Sequence, residues 1–294
     1  MIYLKLILTT LFWGGSFIAA HVAVGSLPPM VAAWLRFLIA CICLFGLMYR
    51  KEGLPSLSKQ QLLAVFGLGV TGILAYNYFF FKGLSLIPAS RAALLVALNP
   101  ILTVVADALI FRRRLALSRL VGVVLSLVGT VWVVSQGNPD FLLQMHGGMG
   151  ELIILGACLS WVAYTMISKL AVTGLSPLTS TTLSSLIGFV LITPFALNEG
   201  LIGFLPGLHM KDWYLAAYLA IPGTVLAFSW YAEGIKAVGA QRTIIFTNLV
   251  PVFGVLLSVI LLGEHLSMAT LLGGCLTVVG VFLTNRPQPV KAVG

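Results

Sequence analysis

The sequence predicts an all-α integral membrane protein: ten transmembrane helices arranged as two inverted five-helix repeats, with both termini cytoplasmic. Three observations carry this. The 294 residues are 60% hydrophobic and only 9% charged, with a mean hydropathy of +1.07. A soluble domain carries about 25% charged residues, so this chain has too little polar surface to stay in water. The apolar residues gather into runs near the length of about 20 that a span needs. The chain also repeats itself at a fixed offset.

The runs lie at 6–24, 30–49, 62–81, 92–111, 119–136, 150–168, 178–197, 213–232, 243–262 and 267–284. The first follows MIYLK, a start shared with signal peptides, but it is too long for their apolar core and matches 150–168. It therefore reads as a helix, carrying Trp13, Phe17 and, near its outer end, His21. The second holds Arg36. The third carries Tyr76, Asn77 and Tyr78 in its outer half. The fourth is interrupted by Asn99 and Pro100 and has Asp107 near its inner end. The fifth shows Gly122 and Gly129, and the sixth Trp161 and Tyr164. The seventh follows Pro177. The eighth has Trp230 and Tyr231 in its inner half. The ninth is interrupted by Asn248 and Pro251, and the tenth shows Gly273 and Gly280. The periodicity is not that of alternating ten-residue strands, which argues against a β-barrel. Every connection is short, so no soluble domain is expected between spans.

The formal charge of +9 sorts by loop rather than forming a patch. With the N-terminus inside, the inner segments hold Lys5, Arg50, Lys51, Lys59, Arg112, Arg113, Arg114, Arg119, Lys169, Lys236, Arg242, Arg286 and Lys291. The outer loops hold Lys82, Arg91 and Lys211. Such a bias sets orientation, so the charge is a topology signal and no nucleic acid is expected as a partner. Cys41, Cys43, Cys158 and Cys275 all fall in spans without a CxxC pair and read as small packing residues. No cofactor or metal is expected.

Sliding the chain by 151 residues brings Gly72 onto Gly223, Gly83 onto Gly234, Ala89 onto Ala240, Arg91 onto Arg242, Pro100 onto Pro251, Gly122 onto Gly273 and Gly129 onto Gly280. An offset of 148 aligns Trp13 with Trp161, Ala23 with Ala171 and Pro29 with Pro177. The expected halves are 1–137 and 138–294. Five helices per half is an odd number, so the second half enters the membrane inverted. Folds of this kind bind their ligands near the midplane between the repeats, at interrupted helices in corresponding positions. Pro100 and Pro251 are such a pair.

The stretches ASRAALLVALNP and GVVLSLVGTVWVV (within 89–134) and AQRTIIFTNLVP, LLGEHLS and GGCLTVVGVFL (within 240–284) resemble the two EamA repeats of the drug/metabolite transporter superfamily. Arg36–Phe37 and Gly263–Glu264 belong to the same pattern. The first half departs from it, reading FRRR at 111–114 where a GlyGlu is usual. Among subfamilies the chain is most similar to the YddG-type exporters of aromatic amino acids. The resemblance implies a multi-pass transporter of the cell inner membrane that exports small metabolites. Multidrug or aromatic-cation export within the same superfamily is the alternative it leaves open.

The polar and aromatic residues inside the spans are the candidate site. Pro100 frees the carbonyl of Val96 and Pro251 that of Thr247, and a freed carbonyl at bilayer depth needs a partner or a cavity. Asn99 and Asn248 then either glue helices together or line the pathway, with the prolines as hinges. Trp13 and Trp161 sit near mid-depth rather than in the interfacial belts where Trp collects. With Phe17, Tyr78, Tyr164 and Trp230 they are expected to offer flat faces to a substrate. Arg36 is seven residues past Pro29, roughly 10 Å along a helix. It either snorkels, attracts a substrate carboxylate or fixes a helix contact. No carboxylate is expected near the midplane, which weakens coupling through a central acid. The seven-residue spacing of Gly122 with Gly129, and of Gly273 with Gly280, marks helix-packing faces. These two helices are expected to act as scaffold, and a monomer suffices. No P-loop, HExxH or intramembrane catalytic pairing is present, which argues against an ATP-driven pump or an enzyme. No filter-like loop or charged ring suggests a channel.

Overall fold

A computed structural model describes residues 1–112, 117–135, 137–138, 148–171, 174–239, 242–243 and 246–284. Arg113, Arg114, Arg286 and Lys291 of the basic inner set, and Ala240 of the repeat, lie outside the described residues. The described chain is helical. Its elements are α1 (Ile2–Val24), α2 (Pro29–Glu52), α3 (Lys59–Leu84), α4 (Ala89–Ile110), α5 (Leu117–Val134), α6 (Met149–Ala171), α7 (Pro177–Asn198), α8 (Met210–Val238), α9 (Leu249–Leu262) and α10 (Met268–Thr284). Seven helices among the described residues are long and apolar enough to cross a membrane; the apolar stretches Leu120–Val133, Leu249–Leu262 and Met268–Thr284 are shorter. The ninth helix starts later than the apolar run suggests, because a turn at Thr247–Asn248 precedes it.

Two helix pairs brace the bundle. In the first, α5 packs on α10 through glycines. A Cβ on Gly129 would lie 2.6 Å from the Gly273 carbonyl oxygen and from Thr277 N, and one on Gly280 2.5 Å from the Gly122 oxygen and from Ser126 N. Nothing larger than hydrogen fits there, so the backbones touch. Ser126 Oγ donates to the Thr277 carbonyl at 2.9 Å. In the second, α2 and α7 cap each other. Glu52, ending α2, accepts from Ser176 Oγ and Thr179 Oγ1 at 2.5 and 2.6 Å. Glu199, just past α7, accepts the Met30 N–H at 2.7 Å. Each carboxylate thus meets the positive N-terminal end of the other helix.

Two interruptions recur at equivalent positions. Gly69–Ala75 in α3 and Ile221–Leu226 in α8 are π-helical and coincide under the 151-residue offset. A π turn displaces carbonyls from their usual donors, and side chains supply replacements. Thr71 Oγ1 donates to Gly67 O at 2.7 Å, Asn77 Nδ2 to Ile73 O at 2.7 Å and Thr224 Oγ1 to Leu219 O at 2.9 Å. The bare backbone of these segments receives a neighbouring helix, α6 at the first and α1 at the second. Gly72 lies against the Tyr164 ring and Gly223 against Ser16 Oγ, and Tyr164 and Ser16 are themselves related by the 148-residue offset.

The second interruption falls at the prolines. Helix α4 breaks between Ala89–Val96 and Asn99–Ile110, and the Thr247–Asn248 turn precedes α9. Pro100 sits in the first turn of its segment, where a missing N–H costs nothing. The carbonyl of Thr247, freed by Pro251, accepts Val250 N–H instead at 3.1 Å.

Candidate functional site

Four helices, α1, α3, α6 and α8, bring aromatic side chains into one cluster. Each contributes a pair at helical spacing, and hence on one face: Trp13 and Phe17 from α1, Tyr76 and Phe80 from α3, Trp161 and Tyr164 from α6, Phe228 and Tyr231 from α8. Trp13 contacts Phe228 and Tyr231 with ring centroids 5.5 and 5.4 Å apart. Phe228 reaches Trp161 at 6.4 Å, joining the two tryptophans that the repeat pairs. Trp161 continues to Tyr164 at 5.2 Å and Tyr76 at 5.5 Å. Tyr76 stacks on Phe80 at 5.5 Å, and Phe80 meets Phe17 edge-on at 5.2 Å. These centroid distances and tilts are those of favourable ring pairs. Trp13, Tyr76, Trp161, Tyr164, Phe228 and Tyr231 are only half-buried, whereas Phe17 and Phe80 are buried.

Asn99 stands at the break in α4, one turn beyond Leu95, whose carbonyl is approached by Cys158 Sγ at 3.6 Å. Cys158 is three residues before Trp161 on α6, which puts the α4 break alongside the aromatic cluster. Asn99 is 9% exposed, and its Oδ1 is buried without a donor among the described residues. Its backbone carbonyl accepts from Thr103 Oγ1 at 2.7 Å. An unpaired buried amide oxygen is costly. Asn248 is half-buried at the turn before α9, and Pro251 is buried.

Arg36 is buried and neither snorkels nor pairs with an acid among the described residues. Its Nε and Nη2 donate to Thr224 Oγ1 at 3.3 and 3.0 Å, and its Nη1 donates to Asn77 Oδ1 at 3.2 Å. Thr224 lies in the π segment of α8, and Asn77 follows that of α3. The guanidinium therefore straps the two irregular segments together.

At the end of the bundle away from Met1, the α3–α4 connection is held by three partners. His21 Nδ1 bonds the Leu84 carbonyl at 2.8 Å. Arg91 pairs with Glu151 at 2.9 Å. Glu264 takes the N–H groups of Ala89 and Ser90 at 2.9 and 3.2 Å and also the Ser90 hydroxyl. The repeat mates of His21, Glu151 and Glu264 are Lys169, Tyr3 and Arg113, none of which reproduces the chemistry. At the Met1 end, Lys5 pairs with Glu233 at 2.6 Å with both groups partly exposed, and Lys169 pairs with Asp107. Residues 89–98 of α4 are mostly buried, whereas 102–108 are only partly buried and 109–110 are exposed.

Of the residues singled out by sequence, Trp13, Phe17, Trp161 and Tyr164 come together, Asn99 stands one turn from the Leu95–Cys158 contact that precedes Trp161, and Asn248 stands at the turn before α9. Two do not join. Tyr78 is 38% exposed and turns toward Phe79 and Phe195. Trp230 pairs with Phe12 at 5.8 Å. Their places are taken by Tyr76 and by Phe228 with Tyr231. The π segments precede both sets on their helices, and a π turn rotates the face that later residues present. Their glycines, Gly72 and Gly223 matched among them, and Pro222 are the sequence marks of those segments.

The EamA-like transporter family matches residues 1–135 and 148–286. A Bacillus subtilis (strain 168) protein named uncharacterized transporter YyaM is 28% identical over 97% of this chain and 93% of its own length. A Salmonella typhimurium protein named probable amino-acid metabolite efflux pump is 24% identical over 94% of this chain and 92% of its own. One solved crystal structure shares the fold with a TM-score of 0.66 over 96% of both chains, at 21% identity.

Proposed function

The chain belongs to the EamA-like transporter family, and we propose that it exports small metabolites, aromatic amino acids first, by alternating access through a cavity between two inverted halves. The observation that carries this reading is the aromatic cluster linking α1, α3, α6 and α8, near the break in α4 where Asn99 Oδ1 has no donor among the described residues. Unwound helix segments next to a cavity are the common form of a transporter's substrate site. The naming of one relative as a probable amino-acid metabolite efflux pump supports the substrate class.

In this reading α5, α9 and α10 also cross the membrane, giving ten spans with both termini cytoplasmic in the cell inner membrane. Residues 1–137 and 138–294 form the two inverted repeats, and the protein works as a monomer in the lipid bilayer. The clasped end faces outward, and this conformation is the one closed to the outside. The substrate contacts Trp13, Phe17, Asn99, Trp161, Tyr164 and Asn248, with Tyr76, Phe228 and Tyr231 joining them. Pro100 and Pro251 serve as hinges, and α5 with α10 as the fixed frame.

The test is uptake into proteoliposomes across labelled Phe, Tyr, Trp, other amino acids, nucleobases and aromatic cations. Saturable aromatic amino-acid flux, accelerated by the same substrate on the far side, is expected. Robust flux of another class with none of these three overturns the substrate reading. Flux that neither saturates nor responds to counter-substrate overturns the carrier mechanism in favour of a channel.

A further inference from the structure

We propose that Arg36 sets the charge preference of the site, admitting aromatic substrates that carry a carboxylate and turning away aromatic cations. This rests on reading the aromatic cluster as the substrate site. The guanidinium is 8% exposed, and its three hydrogen bonds go to neutral oxygens of Asn77 and Thr224. Arginine has five N–H donors, so donors remain on both terminal nitrogens.

No acid among the described residues neutralises this charge. Helix α3 contains none. The acids of α2 and α8, and the one that caps α2, lie at helix ends and are engaged there. Glu52 is bonded to Ser176 and Thr179, Glu199 to Met30 N, Asp212 to Ser26 Oγ and His209 N, and Glu233 to Lys5. The other described acids, Asp107, Glu151 and Glu264, are likewise held at helix ends. A buried cation without a counter-ion is costly at membrane depth. A ligand carboxylate removes that cost, and a ligand cation raises it. Both of its acceptors adjoin cluster residues along the chain: Asn77 follows Tyr76, and Thr224 lies one helical turn before Phe228, the ring that joins the two tryptophans. Arg36→Gln and Arg36→Lys each leave a long side chain in similar space, but only Arg36→Lys keeps the charge.

The experiment is calorimetric binding of three indole probes of similar size to the purified full chain: indole-3-propionate (anion), tryptophan (zwitterion) and tryptamine (cation). The wild type should bind the first two at least about tenfold more tightly than tryptamine, the scale of one unit charge acting across a partly dry cavity. Arg36→Gln should bring the ratio close to one, and Arg36→Lys should preserve it. Should Arg36→Gln fail to fold, Asn77→Asp puts a carboxylate against the guanidinium and should also abolish the ratio. Equal or tighter binding of tryptamine by the wild type overturns the proposal, as does an unchanged ratio in a folded Arg36→Gln or Asn77→Asp protein. Phe228→Ala separates the two claims. Unaltered affinity for all three probes in that variant refutes the cluster as the site, whatever Arg36 does, and binding of none by the wild type refutes the aromatic reading itself.

Discussion

Replacing Glu264 with glutamine should loosen the clasp over the α3–α4 connection and shift the protein toward opening at that end. In the native chain both carboxylate oxygens accept backbone N–H groups, from Ala89 at 2.9 Å and Ser90 at 3.2 Å, at the positive start of α4. Hydrogen bonds to a charged partner contribute about 1.5–3 kcal/mol, and neutral ones about 1 kcal/mol. A carboxylate at a helix N-terminus adds about 0.3–1 kcal/mol more. Glutamine keeps one acceptor oxygen and loses the charge, so the clasp should weaken by about 2 kcal/mol. At 1.4 kcal/mol per factor of ten, that is roughly a 30-fold change in the ratio of closed to open protein. The assay uses a cysteine-free background carrying Phe17→Cys, since Phe17 is 3% exposed and lies beyond Trp13 toward the clasped end. A membrane-impermeant maleimide added outside should label the Glu264→Gln protein ten- to about a hundredfold faster than its parent. Equal labelling rates in two well-folded proteins would refute the reasoning, because the clasp would then not control access.

Two further substitutions test separate parts of the account. Gly129→Leu and Gly280→Leu should each lower thermal stability sharply, by about 3 kcal/mol or more, because even a Cβ meets opposing backbone at 2.5–2.6 Å; unchanged melting in detergent would remove the frame role of α5 and α10. Asn99→Ala should leave melting near the parent value, since Oδ1 has no donor among the described residues, while cutting aromatic flux at least about tenfold, the loss of one substrate hydrogen bond. Lost folding with unaltered specific flux would make Asn99 structural glue instead.

The membrane class, the helices and the matched prolines were legible in the sequence because each follows from a strong local constraint. Apolar runs must be helical in lipid, and a proline must break a ladder. Side-chain facing was less legible. The π segments at Gly69–Ala75 and Ile221–Leu226 add no compositional mark beyond their glycines and Pro222, yet they turn every residue after them. That is why Tyr76 and Phe228 line the cluster while Tyr78 and Trp230 do not. Arg36 illustrates a different limit. Its burial in a span signals importance, but the choice among snorkel, ligand and strap depends on Asn77 and Thr224, which lie 41 and 188 residues away in the chain. Likewise Glu264 carries a recognisable pattern, whereas its task of closing the start of α4 emerges only when both ends are in place.

The central claim is that substrate binds between the halves at the aromatic cluster. The most direct measurement is an experimental structure of the protein determined with tryptophan. The account predicts the indole between Trp13, Trp161 and Phe228, with a polar group of the ligand within hydrogen-bonding distance of Asn99. Tryptophan bound elsewhere, with these rings packed as they are without it, would contradict it.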